Sequence, residues 1–226
     1  MNKRLKEANK LVEKSKLYNL AEAVAILKKA PEVKFDESVD VQIKLSVDPK
    51  EISQSIRGSV ALPNGTGKNV RVAAFCKGEH VSKAKEAGAD FVGGQDLVDK
   101  VSGGFLDFDV AVATPEMMKD LGKIGRMLGP RGLMPNPKAG TVTMEVAKAV
   151  KEAKAGKVEF KMDKLGCINM CVGKRSFADE ALLANIKVLI DTVMHARPAQ
   201  VKGQFFKNVS ISTTMGPGIR LDTTLL

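Results

Sequence analysis

The spacing of apolar residues changes style twice along this chain, and that double change limits its folding more than any single motif does. Val39, Val41, Ile43, Leu45 and Val47 alternate with Ser38, Asp40, Gln42, Lys44 and Ser46, a period of two that predicts a strand with one buried face. A second strand is expected over Ile56 to Leu62, stopped by Pro63-Asn64-Gly65. The pattern then becomes strands alternating with helices, the signature of a parallel sheet covered by helices. Strands are expected at 70–76, 89–92 and 108–113. Helices are expected at 80–87, closed by Gly88; from the Thr114 cap and Pro115 to Gly122; and at 144–155, ended by Gly156. From Lys157 the period of two returns. Val158, Phe160 and Met162 alternate with polar residues, and a turn at Lys164-Leu165-Gly166 leads into a strand over Cys167 to Val172, together read as a hairpin. Ser176, with Asp179 three residues on, is read as the cap of a helix whose Leu182, Ile186, Leu189 and Val193 run to Arg197-Pro198. A last strand is expected over Phe205 to Thr213.

Two lysine-rich helices, Leu5 to Lys16 and Asn19 to Lys29, precede Pro31. The two ends of the chain therefore share one style and the middle another. The expected fold class is mixed α/β and α+β: residues 1–66 and 158–226 form a discontinuous α+β domain, and residues 67–157 form a small doubly wound α/β domain inserted into it. The two crossings lie close together, near 65–69 and 155–157, an arrangement that allows a hinge there.

The 226 residues carry 36 Lys and Arg against 26 Asp and Glu, a net charge of +10. Such a surface attracts polyanions, so nucleic acid or an acidic membrane surface is the first partner class. No apolar run approaches the about 20 residues of a membrane span, and the N-terminus lacks the apolar stretch of a signal peptide; a cytoplasmic protein with no membrane partner is expected. Three cysteines, Cys76, Cys167 and Cys171, make no disulfide framework. Cys167 and Cys171 stand four apart, but no second pair exists and His80 and His195 are far off in sequence. They are read as small strand residues, with no metal expected.

Gly65-Thr66-Gly67-Lys68 has the flavour of a phosphate loop, yet Leu62 stands where its first glycine belongs and Asn69 where its hydroxyl belongs. It is read as a turn at a domain junction. No spaced glycines mark a dinucleotide site and no triad can be assembled, so neither cofactor nor enzymatic activity is expected. The segment from Gly122 to Gly140, rich in glycine and proline, carries Arg126, Arg131 and Lys138. It is either a long surface crossover or a flexible backbone whose cations follow a phosphate chain. In the last strand Asn208, Ser210, Ser212 and Thr214 share one side. That side is either an ordinary solvated face or a row of groups suited to phosphates and ribose 2′-OH groups. Met215, in the turn that follows, reads by itself as a cap on the core.

KFDESVDV (34–41), SIRGSVALPNGTGK (55–68), GRMLGPRGLMPNPKAGTVT (125–143), GKVEFKMDKLGCINMCVGK (156–174) and STTMGPGIRLD (212–222) together resemble the bacterial large-subunit ribosomal protein L-one family, over essentially the whole chain. The resemblance implies a Rossmann-like inserted domain and a first domain that grips the stalk of large-subunit rRNA. It further implies a monomer within the ribosome, contact with exit-site tRNA, support for release of deacylated tRNA, and repression of translation through binding of the chain's own operon mRNA. Carried over by position, it places RNA contacts at Lys34, Phe35 and Ser38, at Thr214, Met215 and Gly216, at Asn169, and at the strand end with Ser212. It makes Arg126, Arg131 and Lys138 secondary contacts. It also reverses the reading of Met215 from core to RNA surface.

Overall fold

The computed structural model describes residues 3–13, 15–47, 56–198, 201 and 203–223. In chain order the elements are α1 (Lys3–Lys10), α2 (Leu20–Lys29), β1 (Ser38–Leu45), β2 (Arg57–Ala61), β3 (Val72–Phe75), α3 (His80–Glu86), β4 (Phe91–Gly93), α4 (Gln95–Ser102), β5 (Val110–Ala113), α5 (Met118–Lys123), α6 (Gly125–Leu128), α7 (Val146–Lys154), β6 (Lys157–Lys161), β7 (Cys167–Lys174), α8 (Asp179–His195), β8 (Phe206–Thr213) and β9 (Ile219–Leu221). The chain divides into two compact units, one of residues Met1–Gly67 and Glu159–Leu226, the other of Lys68–Val158. Among the described residues no helix is long and apolar enough to cross a membrane.

The first unit is built on a four-stranded antiparallel sheet in the order β7-β1-β8-β9. Val39, Val41, Ile43 and Leu45 of β1 are buried, as the period of two requires. Buried with them are Ile168, Met170 and Val172 of β7 and Val209 and Ile211 of β8. The covering helices contribute Leu20, Ala23, Val24 and Leu27 from α2 and Leu182, Ile186, Leu189 and Val193 from α8. The other face of the sheet carries Asp40, Gln42 and Lys44 between Cys171, Asn169 and Cys167 on one side and Ser212, Ser210 and Asn208 on the other. Buried Asn185 of α8 donates to the carbonyls of Gly65 (2.9 Å) and Val172 (2.8 Å), while its oxygen accepts from Asn64 N–H (3.1 Å). This pins the Gly65–Gly67 turn, whose glycines take left-handed φ of 63° and 71°.

The second unit holds a three-stranded parallel sheet in the order β4-β3-β5. Its strands are apolar without alternation because both faces are covered. Val72, Ala74 and Cys76 pack with Ala84 of α3 and Val146, Ala149 and Val150 of α7. Ala73 and Phe75 pack on the opposite side with Leu97 and Val101 of α4, Leu121 of α5 and Leu128 of α6.

Four expectations are corrected. The strands around Lys164-Leu165-Gly166 do not form a hairpin: β6 pairs with β2 and β7 with β1. Phe160 of β6 lies over Gly58 of β2, where a Cβ would come within 2.6 Å of the ring, so the missing side chain selects that partner. Ser176 does not cap α8. Its N–H (3.2 Å) and hydroxyl (2.8 Å) donate instead to the Asp36 carboxylate, and Ala178 precedes the helix without a side-chain cap. The first helix stops at Lys10. The segment 122–140 is not a loose backbone, since Ile124 and Leu128 are buried and Leu133 and Met134 pack against the same core. It returns to the sheet where Ala113 bridges Val142. The short helix α4, bounded by Gly94 and Gly103, and the three-residue β9 are elements that sequence reading did not find.

Candidate nucleic-acid interface

The start of β1 and the end of β8 meet at one edge of the first unit. Ser38 N–H donates to Thr214 Oγ1 (3.0 Å) and Thr214 N–H returns a bond to Ser38 O (3.1 Å). This pairing extends the sheet by one rung and brings the segment before β1 against the turn after β8. In that turn Gly216 N–H donates to Thr213 O (3.1 Å). A Cβ on Gly216 would sit 2.3 Å from Thr213 Oγ1, so the turn closes down only because residue 216 has no side chain. Phe35 and Met215, apolar side chains on the two segments, stand 52 % and 49 % exposed.

The frame beneath them is ionic and buried. Glu37, 1 % exposed, accepts from Met215 N–H through one carboxylate oxygen (2.9 Å) and pairs with Arg175 through the other (3.1 Å). Arg175 also donates to the carbonyls of Lys28 (2.9 Å), Ala30 and Pro31, which lie at the C-terminal end of α2 where a cation satisfies orphan carbonyls. Its own N–H donates to Glu37 O (2.8 Å). Nearby, Lys174 Nζ donates to Asp36 O (3.2 Å) and Ser38 Oγ (3.3 Å). From the N-terminal helix, Arg4 donates to Met215 O (2.9 Å). Four stretches of sequence are thereby locked around one turn. A shallow depression of about 450 Å³ beside Phe35 is lined by Lys28, Glu32, Val33 and Asp36 among others.

Of the expected contact residues, the structure brings together Lys34, Phe35, Ser38, Thr214, Met215 and Gly216. Ser212 lies two residues inward, opposite Asp40. Asn169 lies on the same open face, opposite Gln42, four residues and roughly 13 Å along the strand from Ser38. Arg126 and Arg131 are exposed in the second unit; the side chain of Lys138 is outside the described residues. Met215 is half exposed rather than buried. Glu37, Arg175 and Arg4 are the residues sequence reasoning missed. A buried carboxylate beside a partly buried arginine shows in sequence only when two segments 138 residues apart are known to meet.

The second unit carries its charge differently. The Arg71 side chain, with help from its backbone N–H, holds the Asp109 carboxyl below its ordinary value. Asp90 is lowered mainly by the Val72 N–H, and further by Lys154. Asp120 is lowered by Lys123, and Glu152 by Lys157. Burial pushes the Cys76 thiol up. Among the described residues no cluster of three or more His, Cys, Asp or Glu could hold a metal ion.

Comparison with known proteins matches residues 27–217 to a family described as the Ribosomal protein L1p/L10e family. The large ribosomal subunit protein uL1 of Protochlamydia amoebophila is 52% identical over 221 residues, covering 98% of this chain and 94% of that protein. The uL1 protein of Solidesulfovibrio magneticus is 54% identical over 221 residues, with the same coverage of each.

Proposed function

Because the chain belongs to the ribosomal protein L1p/L10e family, whose members are non-enzymatic constituents of the large subunit of cytoplasmic ribosomes, we propose that it grips the stalk region of large-subunit rRNA with the edge of the first unit where β1 begins and β8 ends. The observation that carries this reading is the pair Phe35 and Met215, two half-exposed apolar side chains held above a buried ion pair. An apolar side chain gains little from standing in water, and a rigid frame lowers the entropy lost when such groups stack on nucleotides. Around them, Ser38, Thr214 and Ser212 supply small polar groups of the kind that bond ribose 2′-OH and phosphate.

Charge and shape divide the work. The excess of lysine and arginine draws any RNA in and supplies salt-sensitive affinity, while the small neutral patch selects which RNA stays. An mRNA segment folded like the stalk would occupy the same patch and exclude the rRNA, which is how the protein would repress its own operon. Contact with exit-site tRNA, and support for release of deacylated tRNA, complete the proposal; they rest on family membership, with Arg126 and Arg131 as candidate secondary contacts.

The test is the double variant Thr214→Ala/Met215→Ala against the stalk fragment of large-subunit rRNA. Loss of the apolar contact of half-exposed Met215, about 1–1.5 kcal/mol, and of one hydroxyl bond, about 1 kcal/mol, predicts an affinity roughly 30- to 100-fold lower, with only a small fall in the thermal melt because the Ser38–Thr214 bond that is lost lies at the surface. Unchanged affinity would refute the site.

A further inference from the structure

Helix α1 lies outside residues 27–217, the segment matched to the family, so its role does not follow from that match. It is KRLKEANK, and one of its side chains reaches the proposed RNA contact directly: Arg4 donates to the carbonyl of Met215 at 2.9 Å. The helix is thus anchored by its first turn to the very turn that presents Met215.

The rest of the helix is arranged around that anchor. Ala8, four residues after Arg4, is its buried residue, so positions 4 and 8 define the inward side. Lys3, Lys6 and Lys10 are exposed, and their spacing of three and four residues places them in one outward stripe, spanning roughly 10 Å at 1.5 Å per residue. None of the three has an ion-pair partner among the described residues, and Glu7 is the one acidic residue of the helix. Three ammonium groups without ion-pair partners among the described residues, set in one stripe of a helix that Arg4 ties beside a neutral recognition patch, suit a run of phosphates leaving that patch.

We infer that α1 is a phosphate-contacting arm of the RNA interface, with Lys3, Lys6 and Lys10 as the contacts and Arg4 as the residue that positions the arm. The inference rests on the reading of the β1/β8 edge as the RNA site and adds a second, electrostatic part to it. Arg4 spends part of its guanidinium on the Met215 carbonyl, so its effect is exerted through placement of both the helix and the turn.

The experiment is a salt titration of binding between the full-length protein and the stalk fragment of large-subunit rRNA, comparing wild type with Lys3→Gln/Lys6→Gln/Lys10→Gln. Each lost phosphate contact removes about 0.7–0.9 from the slope of log affinity against log salt. The triple variant should therefore lose about 2 to 3 from the slope and on the order of tenfold in affinity at moderate salt, with an unchanged melt. The matching Lys→Arg triple variant keeps the charges and should keep the slope. Arg4→Ala should lower the slope in part, by freeing the arm. An unchanged slope in the Gln variant, with Thr214→Ala/Met215→Ala still weakening binding, overturns the arm and leaves the edge standing; no effect in either variant overturns both.

Discussion

The two units use a β-sheet and a set of charges in opposite ways. In the second unit both faces of the parallel sheet are covered, alternate residues of β3 enter two separate cores, and the ion pairs lie outside, as Arg71–Asp109 does with both side chains about half exposed. In the first unit one sheet face stays open, and although Lys28–Asp179 lies at the surface, a second ion pair, Glu37–Arg175, is largely buried under the turn that presents Met215. A sheet covered on both faces leaves its strands nothing to display. A sheet covered on one face can present side chains at a fixed spacing, and a buried ion pair at its end fixes a turn that would otherwise sample many conformations. On the proposed reading, recognition therefore falls to the open face of the first unit.

The sharpest way to break this contrast is Glu37→Ala. Removing one partner of a buried pair leaves the other uncompensated, at about 3 kcal/mol, and here it also releases Met215 N–H. Native-state amide exchange should show faster opening in β1, β7 and β8, with β3, β4 and β5 unchanged; equal acceleration in both units would mean that the pair does not act locally. The corresponding change in the second unit, Asp109→Asn, should be small, below about 1 kcal/mol, because exposed pairs are screened by solvent. Its sign with pH is set by the lowered carboxyl of Asp109. The stabilisation is present above the ordinary aspartate value of about 4 and disappears as pH falls through the lower folded value. Wild type should lose that small increment on acidification and the Asn variant should not, as read from exchange of β3 and β5 across an acid series. A large loss in Asp109→Asn would erase the distinction between surface and buried charge.

Much of the framework was legible because it depends on period alone. The alternation in β1 gives a strand with one wet face whatever its neighbours are, and the unbroken apolar runs at β3 and β5 give strands covered on both sides. Pairing partners were not legible, since alternation names no neighbour: β6 and β7 look like a hairpin until Gly58 is seen beneath Phe160. Local rules also lost to distant groups. Ser176 has the spacing of a helix cap, but the Asp36 carboxylate, 140 residues away, takes both of its donors. Residue-level reading put Met215 in the core because a methionine in a turn usually covers something; the structure leaves it half exposed. The candidate contacts came from resemblance, and the frame beneath them could be found only in three dimensions.

The central claim is that the RNA is held by the β1/β8 edge of the first unit, and amide chemical-shift mapping of the full-length protein with the stalk fragment of large-subunit rRNA tests it most directly. The account predicts that the largest changes fall on residues 34–38 and 212–216, with smaller ones at Asn169 and along α1, and that β3, β4 and β5 stay unmoved. Changes concentrated around Arg126 and Arg131, with the β1/β8 edge silent, would contradict it.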